Sequence, residues 1–338
     1  MSLNLFFVFC FLSRTSEILK MSEYRMPLFG KEKKIPSTAA KKVQGAPVCK
    51  PDPWREFEEN GSWTNDYKES LLQEIKNWKT KEDSVQNIRI LLLGPIKAGK
   101  SAFLNTVTSI DKERNAEVAP AGGAQRSFTK TLQVFRPDGK LGNFRLLDTM
   151  GVEEGDLCGL NEDDILYIVN GNIDQNYEFN PVSPIKAESH FFKKEPRKKD
   201  KVQCVVFMMD ANAVGQNNIT DAARRKIYSL QSKLESKRIP RLLLLTKIDV
   251  LCEKVEKDIT EVYTSAKVQN AVEMAAELFH LPVRNIFPVK NYTSEVGLKP
   301  TQDILPLLAL REMIRFGTDY LNEMSVNTSD SEDSAMES

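Results

Sequence analysis

A chain of 338 residues and 38.3 kDa exceeds the usual size of one domain, so it should hold either one enlarged domain with appendages or two small ones. Lysine plus arginine number 47 and aspartate plus glutamate number 47, so no global field draws the molecule onto nucleic acid or an anionic membrane, and no nucleic-acid partner is expected. A hydrophobic share of 41% with a mean hydropathy of −0.38 excludes collagen-like, wholly disordered and polytopic membrane classes.

In chain order, the apolar run LNLFFVFCFL at 3–12 is about half of a bilayer span. It has no basic residue before it and no A-x-A-like site after it, so we read it as an extension upstream of Met21 or Met26 rather than as a signal core. Residues 21–50 carry seven basic against two acidic side chains, and we assign 1–50 as a flexible basic arm. A helical lead-in is expected over 51–85, where Tyr67, Leu71, Leu72, Ile75 and Trp78 recur at helical spacing.

Strand-like runs then alternate with helix-like stretches, as in a mainly parallel sheet covered by helices on both faces. Strands are expected at 88–94, 132–137, 144–149, 202–210, 241–247 and 285–289, and helices at 100–110, 219–237, 256–279 and 304–324. One domain would thus span 86–324, interrupted by an irregular insert at 152–201. The insert ends in KKEPRKKDK, a positive patch from Lys193 to Lys201 that reads as a solvated loop or as a weak membrane or phosphoinositide contact. The tail at 325–338 has four acids and no base, which predicts disorder. Five cysteines (Cys10, Cys49, Cys158, Cys204, Cys252) lie far apart without a Cys-x-x-Cys, and only His190 and His280 accompany them. Neither a disulfide framework nor a zinc site is indicated, which fits a reduced cytosolic compartment.

The chemistry concentrates in three strings. Gly94-Pro95-Ile96-Lys97-Ala98-Gly99-Lys100-Ser101, followed by Ala102, matches G-x-x-x-x-G-K-[ST] between an expected strand and an expected helix. Its backbone N–H groups and helix N-terminus would cradle phosphates, Lys100 would reach the β- and γ-phosphates, and Ser101 would ligate Mg²⁺. In LLDTMG, Asp148 ends a strand three residues before Gly151, the D-x-x-G arrangement that holds Mg²⁺ through water and senses the γ-phosphate. In LLLLTKID, Thr246, Lys247 and Asp249 match the guanine-reading [NT]-K-x-D motif, and the Asp249 carboxylate can accept from guanine N1–H and N2–H₂ where adenine offers no donor. Lys290 in PVKNY stands where GTPases place a loop against guanine O6. The fold class is therefore a P-loop NTPase of GTPase type, with GTP or GDP and Mg²⁺ as ligands.

Thr129 and Thr131 are both candidates for the switch threonine that reaches Mg²⁺, with Thr131 preferred. Val152 stands where Ras-like enzymes carry a water-positioning glutamine, which points to slow turnover or to a group supplied from elsewhere. Lys97 is the candidate in-cis cation, a charge without the bidentate fork of arginine. Lys97, Lys100 and Thr131 thus form the candidate catalytic set.

GPIKAGKS, LLDTMG, LLLLTKID, PVKNY and the PWREF lead-in together resemble the GTP-binding part of the interferon-induced protein 44 and 44-like family, over about 53–321. The resemblance implies an interferon-stimulated, cytoplasmic protein of the antiviral and immune response. Members often carry an N-terminal TLDc-type domain, for which the residues before Pro53 are too few. A GTPase switch working through a homodimer at the nucleotide face and a non-hydrolysing scaffold both stay open. A P-loop kinase or ATPase is disfavoured by Asp249, and no residue identifies a host protein partner.

Overall fold

Among the described residues, apolar runs bounded by turn residues form six strands. They are β1 (Ile88–Leu93), β2 (Gln133–Phe135), β3 (Phe144–Asp148), β4 (Cys204–Asp210), β5 (Arg241–Thr246) and β6 (Ile286–Pro288), each inside its expected run. The computed structural model describes residues 52–119, 130–151, 160–180 and 182–336, with side chains described as far as 324. The basic arm, the apolar run at 3–12, Thr129, Val152 and Cys158 lie outside the described residues.

The sheet order is β2-β3-β1-β4-β5-β6, with β2 antiparallel to β3 and every other neighbouring pair parallel. The helices are α1 (Asn65–Asn77), α2 (Lys100–Lys112), α3 (Glu162–Asn170), α4 (Ala211–Gly215), α5 (Asp221–Ser236), α6 (Ile248–Leu251), α7 (Glu253–Lys257), α8 (Ala266–Phe279) and α9 (Pro300–Met336). Progress from β1 to β3 runs one way along the sheet and progress from β4 to β6 the other. Right-handed crossovers therefore put α2 on one face, and α5 and α8 on the opposite face. Both faces being covered, β1, β4 and β5 are apolar almost throughout.

The lead-in belongs to the same unit as the sheet rather than preceding it as a separate piece. Thr64 caps α1 by accepting from the Tyr67 N–H, and Tyr67, Leu71, Leu72 and Ile75 are buried. Each apolar side chain so buried contributes about 1.5–3 kcal/mol. The Trp78 indole N–H donates to Thr318 Oγ1 on α9 at 2.9 Å, and Glu74 pairs with Arg315 at 2.5 Å.

Three expectations are corrected. The stretch 256–279 is not one helix: Asp258 accepts from the Thr260 N–H and Ser265 from the Val268 N–H, so two side chains start new turns and interrupt the ladder without glycine or proline. The insert is not wholly irregular, because Asn161 caps α3 and three acids fill its first turn. The backbone of α9 continues through the acidic tail to Met336; no glycine or proline follows Gly317, and extending a helix costs far less than starting one.

The insert is also tied to the sheet edge. Leu132 N–H donates to Tyr177 O at 2.9 Å, Asn176 N–H to Leu132 O at 2.8 Å and Phe179 N–H to Lys130 O at 2.9 Å, extending β2 by a short antiparallel ladder. Its positive patch is partly neutralised at home: Lys193 pairs with Asp174 and Asp200, and Lys198 with Glu82.

Candidate functional site

Parallel strands present their carboxyl ends on one edge of the sheet, and the three motifs follow those ends. Gly94 follows β1, Asp148 closes β3, Thr246 closes β5, and Lys290 comes two residues after β6.

After β1 the chain turns sharply, with Ala98 N–H donating to Pro95 O at 3.2 Å. Lys97 and Gly99 take left-handed φ values of 66° and 89°. At Gly99 a side chain would be strained by that φ, and its Cβ would press on the Asn291 amide and on Thr246. Gly99 is the N-cap of α2 and brings no side-chain cap, so the first-turn N–H groups of Lys100, Ser101 and Ala102 point toward a ligand position.

Lys100 is buried and donates to Gly94 O at 2.8 Å and Pro95 O at 3.1 Å. Burial pushes its ammonium down to about 8, an effect that the nearby Asp148 carboxylate only partly offsets. A lysine folded onto two carbonyls in a desolvated cradle fits a site built for a phosphate. Ser101 Oγ lies 3.3 Å from Asp148 Oδ2, so the two oxygens expected to ligate Mg²⁺ already face each other. Gly151 accepts no side chain, because a Cβ would lie 2.6 Å from Ile96 Cγ1; the third loop residue thus packs directly on the D-x-x-G glycine.

On the guanine side, buried Thr246 places its hydroxyl 2.8 Å from Ala98 O and 3.1 Å from Met209 O, joining the guanine motif to the phosphate loop. Lys247, left-handed at φ 59°, donates to Asp210 Oδ2 at 2.7 Å. Burial alone would raise the Asp210 carboxyl, but hydrogen bonds from Lys247 and Asn212 hold it below the usual carboxylate range. Asp249 and Lys290 approach to 3.9 Å, and Lys290 also meets Glu295 at 3.5 Å.

The structure therefore gathers Gly94, Ala98, Gly99, Lys100, Ser101, Ala102, Asp148, Gly151, Thr246, Lys247, Asp249 and Lys290 at one edge. Lys97 is exposed on the outside of the turn. Thr131 lies two residues before Gln133, the register partner of Asp148, and bridges to Glu178 of the insert; this is the right end of the sheet, at its outer strand. Two residues were missed from sequence. Asp210 orients Lys247, and its position at the end of the strand VQCVVFMMD is the same signal that marked Asp148. Asn291 donates to Gly99 O at 3.4 Å and braces the phosphate loop from the β6 side.

Residues 89–247 match the 50S ribosome-binding GTPase family. Interferon-induced protein 44-like from Homo sapiens is 33% identical over 263 residues, covering 77% of this chain and 58% of its own length. Interferon-induced protein 44 from Homo sapiens is likewise 33% identical over 263 residues, covering 76% and 58%. Among solved structures, Toc33 from Arabidopsis thaliana in complex with Mg²⁺ and GMPPNP is 13% identical, covering 76% of this chain and 97% of its own, with a TM-score of 0.43. The chain thus spans a little under three fifths of the length of these two human relatives.

Proposed function

From the premise that this chain carries a GTPase domain of the interferon-induced protein 44 and 44-like family, we propose that it binds GTP and GDP with Mg²⁺ and acts as a slow, nucleotide-dependent switch in the interferon response. The observation that supports this reading most is the convergence of Lys100, the facing pair Ser101 and Asp148, and Asp249 at the carboxyl ends of β1, β3 and β5. Lys100 would exchange the Gly94 and Pro95 carbonyls for phosphate oxygens, recovering in a charge-assisted bond what burial costs its ammonium. Ser101 and Asp148 would hold Mg²⁺, which supplies charge neutralisation on the phosphates. Asp249 would accept from the guanine edge, while Asp210 holds Lys247 beside the base.

Turnover is proposed as slow because this chain offers Val152, without donor or acceptor, where a water-positioning amide is needed. Lys97, exposed beside the loop, and Thr131 at the sheet end are the groups assigned to completing the site, with a second copy meeting the nucleotide face. A non-hydrolysing scaffold is the second reading, favoured by the same Val152. Among the described residues no helix is long and apolar enough to cross a membrane, and a cytoplasmic location is part of the proposal.

Phosphate release from GTP, measured across protein concentrations, separates the two readings: a rate that climbs with concentration supports the dimerising switch, and none at any concentration supports the scaffold. The guanine assignment has its own test. Asp249→Asn should shift preference from GTP toward XTP by at least about tenfold, since each charged hydrogen bond is worth about 1.5–3 kcal/mol. Unchanged GTP-over-XTP selectivity would remove it.

A further inference from the structure

At the end of the sheet opposite the phosphate loop, β1 breaks its apolar run with Arg89, whose register partner on β3 is Arg145. On the other side of β3, Phe135 pairs with Leu146, so the next rung of that antiparallel ladder sets Arg136 beside Arg145. Three arginines therefore lie in one row across β2, β3 and β1. Like charges side by side on neighbouring strands destabilise a sheet, and the arrangement needs a counter-charge.

The protein supplies little of it. Among the described residues no carboxylate comes within ion-pair distance of any of the three arginines, and the buried Nε of Arg89 has no hydrogen-bond partner. Burial holds the Arg89 guanidinium below its ordinary value, and Arg136 and Arg145 add to the depression while Asp200 and Asp174 oppose it. Those two carboxylates lie at the same site but pair with other cations: Asp174 with Lys193 at 2.5 Å, and Asp200 with Lys193 at 3.3 Å and Arg197 at 3.4 Å.

Residues of the insert and of this row line an open cavity of about 510 Å³, to which Arg89, Arg136 and Lys193 bring positive charge and Asp174 and Asp200 the negative charge that Lys193 answers, leaving Arg89 and Arg136 as the unanswered cations. Val134, Ile173 and Phe191 give it an apolar wall, with His190 against Phe191 at a ring-centroid distance of 3.9 Å. That volume exceeds an inorganic anion and falls in the range of small-molecule sites. Guanidinium groups recognise oxyanions through paired N–H donors, and a phosphomonoester, with three terminal oxygens and up to two negative charges, can accept from two such forks at once where a carboxylate is filled by one.

We propose that this cavity binds a small organic phosphate, its phosphate held by Arg89 and Arg136 and its organic body lying against Phe191 and Ile173. The site is separate from the nucleotide edge, yet it touches it through the chain: Gln175 and Asn176 line the cavity, and the Asn176 N–H donates to Leu132 O, next to Thr131.

The shared chemistry is a phosphomonoester, which a soluble metabolite and a lipid headgroup both carry. Calorimetry on the full chain with GDP in saturating excess would therefore use three probes: inorganic phosphate, soluble inositol 1,4,5-trisphosphate, and vesicles containing phosphatidylinositol 4,5-bisphosphate. The expected result is saturable binding of the soluble trisphosphate, competed by inorganic phosphate and weakened at least about tenfold by Arg136→Gln, with GDP affinity unchanged. Arg136 is exposed, so this variant should fold; Arg89→Gln, with the melting temperature as a check, is the second variant. Vesicles bound no more tightly than the soluble headgroup point to a metabolite, and tighter vesicle binding that is still lost in Arg136→Gln points to the lipid. Binding by neither soluble probe, or binding that Arg136→Gln leaves intact, overturns the proposal.

Discussion

The carboxyl edge of the sheet and the insert at 160–201 both carry polar groups, but they use them differently. At the edge, Lys100 turns back onto two carbonyls, Ser101 faces Asp148, and Lys247 is parked on Asp210, so charged groups satisfy one another provisionally around a space. In the insert the polar groups build structure: Asp164 accepts from the Ile185 N–H, Lys193 ties Asp174 to Asp200, and the backbone of 176–179 ladders onto 130–132. The first region gives up stability in order to bind, and the second spends its polar groups on holding a loop against the sheet. Substitutions at the edge should therefore change affinity and spare stability, whereas substitutions in the insert should change stability and spare affinity.

The largest expected effect is at Lys100. Lys100→Ala should lower GTP affinity about a thousandfold, because two charge-assisted bonds to the β- and γ-phosphates, each worth about 1.5–3 kcal/mol, vanish together. Ligand-free stability should not fall. A lysine whose folded value is about 8 against an ordinary 10.5 contributes stability above 10.5 that is lost as pH falls through 8, so at pH 7 the buried ammonium is a net cost. A melting temperature at pH 7 equal to or above that of the wild type, beside the lost binding in titration, would match this; a large drop in melting temperature would erase the contrast between the two regions.

The two regions also differ in how far the sequence betrays them. The loop from Gly94 to Ser101 must place two glycines, a lysine and a hydroxyl at fixed spacing between a strand and a helix, and few other structures require that string. The strands β1, β4 and β5 were legible for a related reason, since burial on both faces leaves no room for alternation. The insert obeys no such rule. Its α3 was announced only by Asn161 and the acids behind it, and its ladder to 130–132 depends on backbone groups that any residue supplies. The arginine row could not be read at all, because Arg89, Arg136 and Arg145 become neighbours only once the strand order is known.

Next in size is the insert's aromatic cluster. Tyr177 is 8% exposed and meets Phe179 edge-on at a centroid distance of 5.5 Å. Tyr177→Ala should cost about 3 kcal/mol of unfolding free energy in a denaturant titration, the usual toll of emptying an aromatic site. GDP affinity should change little. If GDP affinity fell in step with stability, the insert would be part of the nucleotide edge rather than a separate device.

The smallest effect is the most diagnostic, because it carries a sign and a pH window. Asp164 is wholly buried in the first turn of α3, and burial pushes its carboxyl up to about 6 despite the bond from the Ile185 N–H, with Asp163 adding to the rise. For an acid raised above its ordinary 3.8, stability is fully present below 3.8 and is lost as pH climbs through 6. Asp164→Asn keeps an acceptor for Ile185 and removes the ionisation. It should therefore stabilise the protein at pH 7.5 by about 1–2 kcal/mol, and the gain should shrink toward zero near pH 4. A gain independent of pH would mean that the carboxylate is solvated and that the insert packs less tightly around α3 than its hydrogen bonds imply. A loss at both pH values would mean instead that Asp164 accepts bonds an amide cannot replace, which would make the first turn of α3 a polar anchor like those at the nucleotide edge.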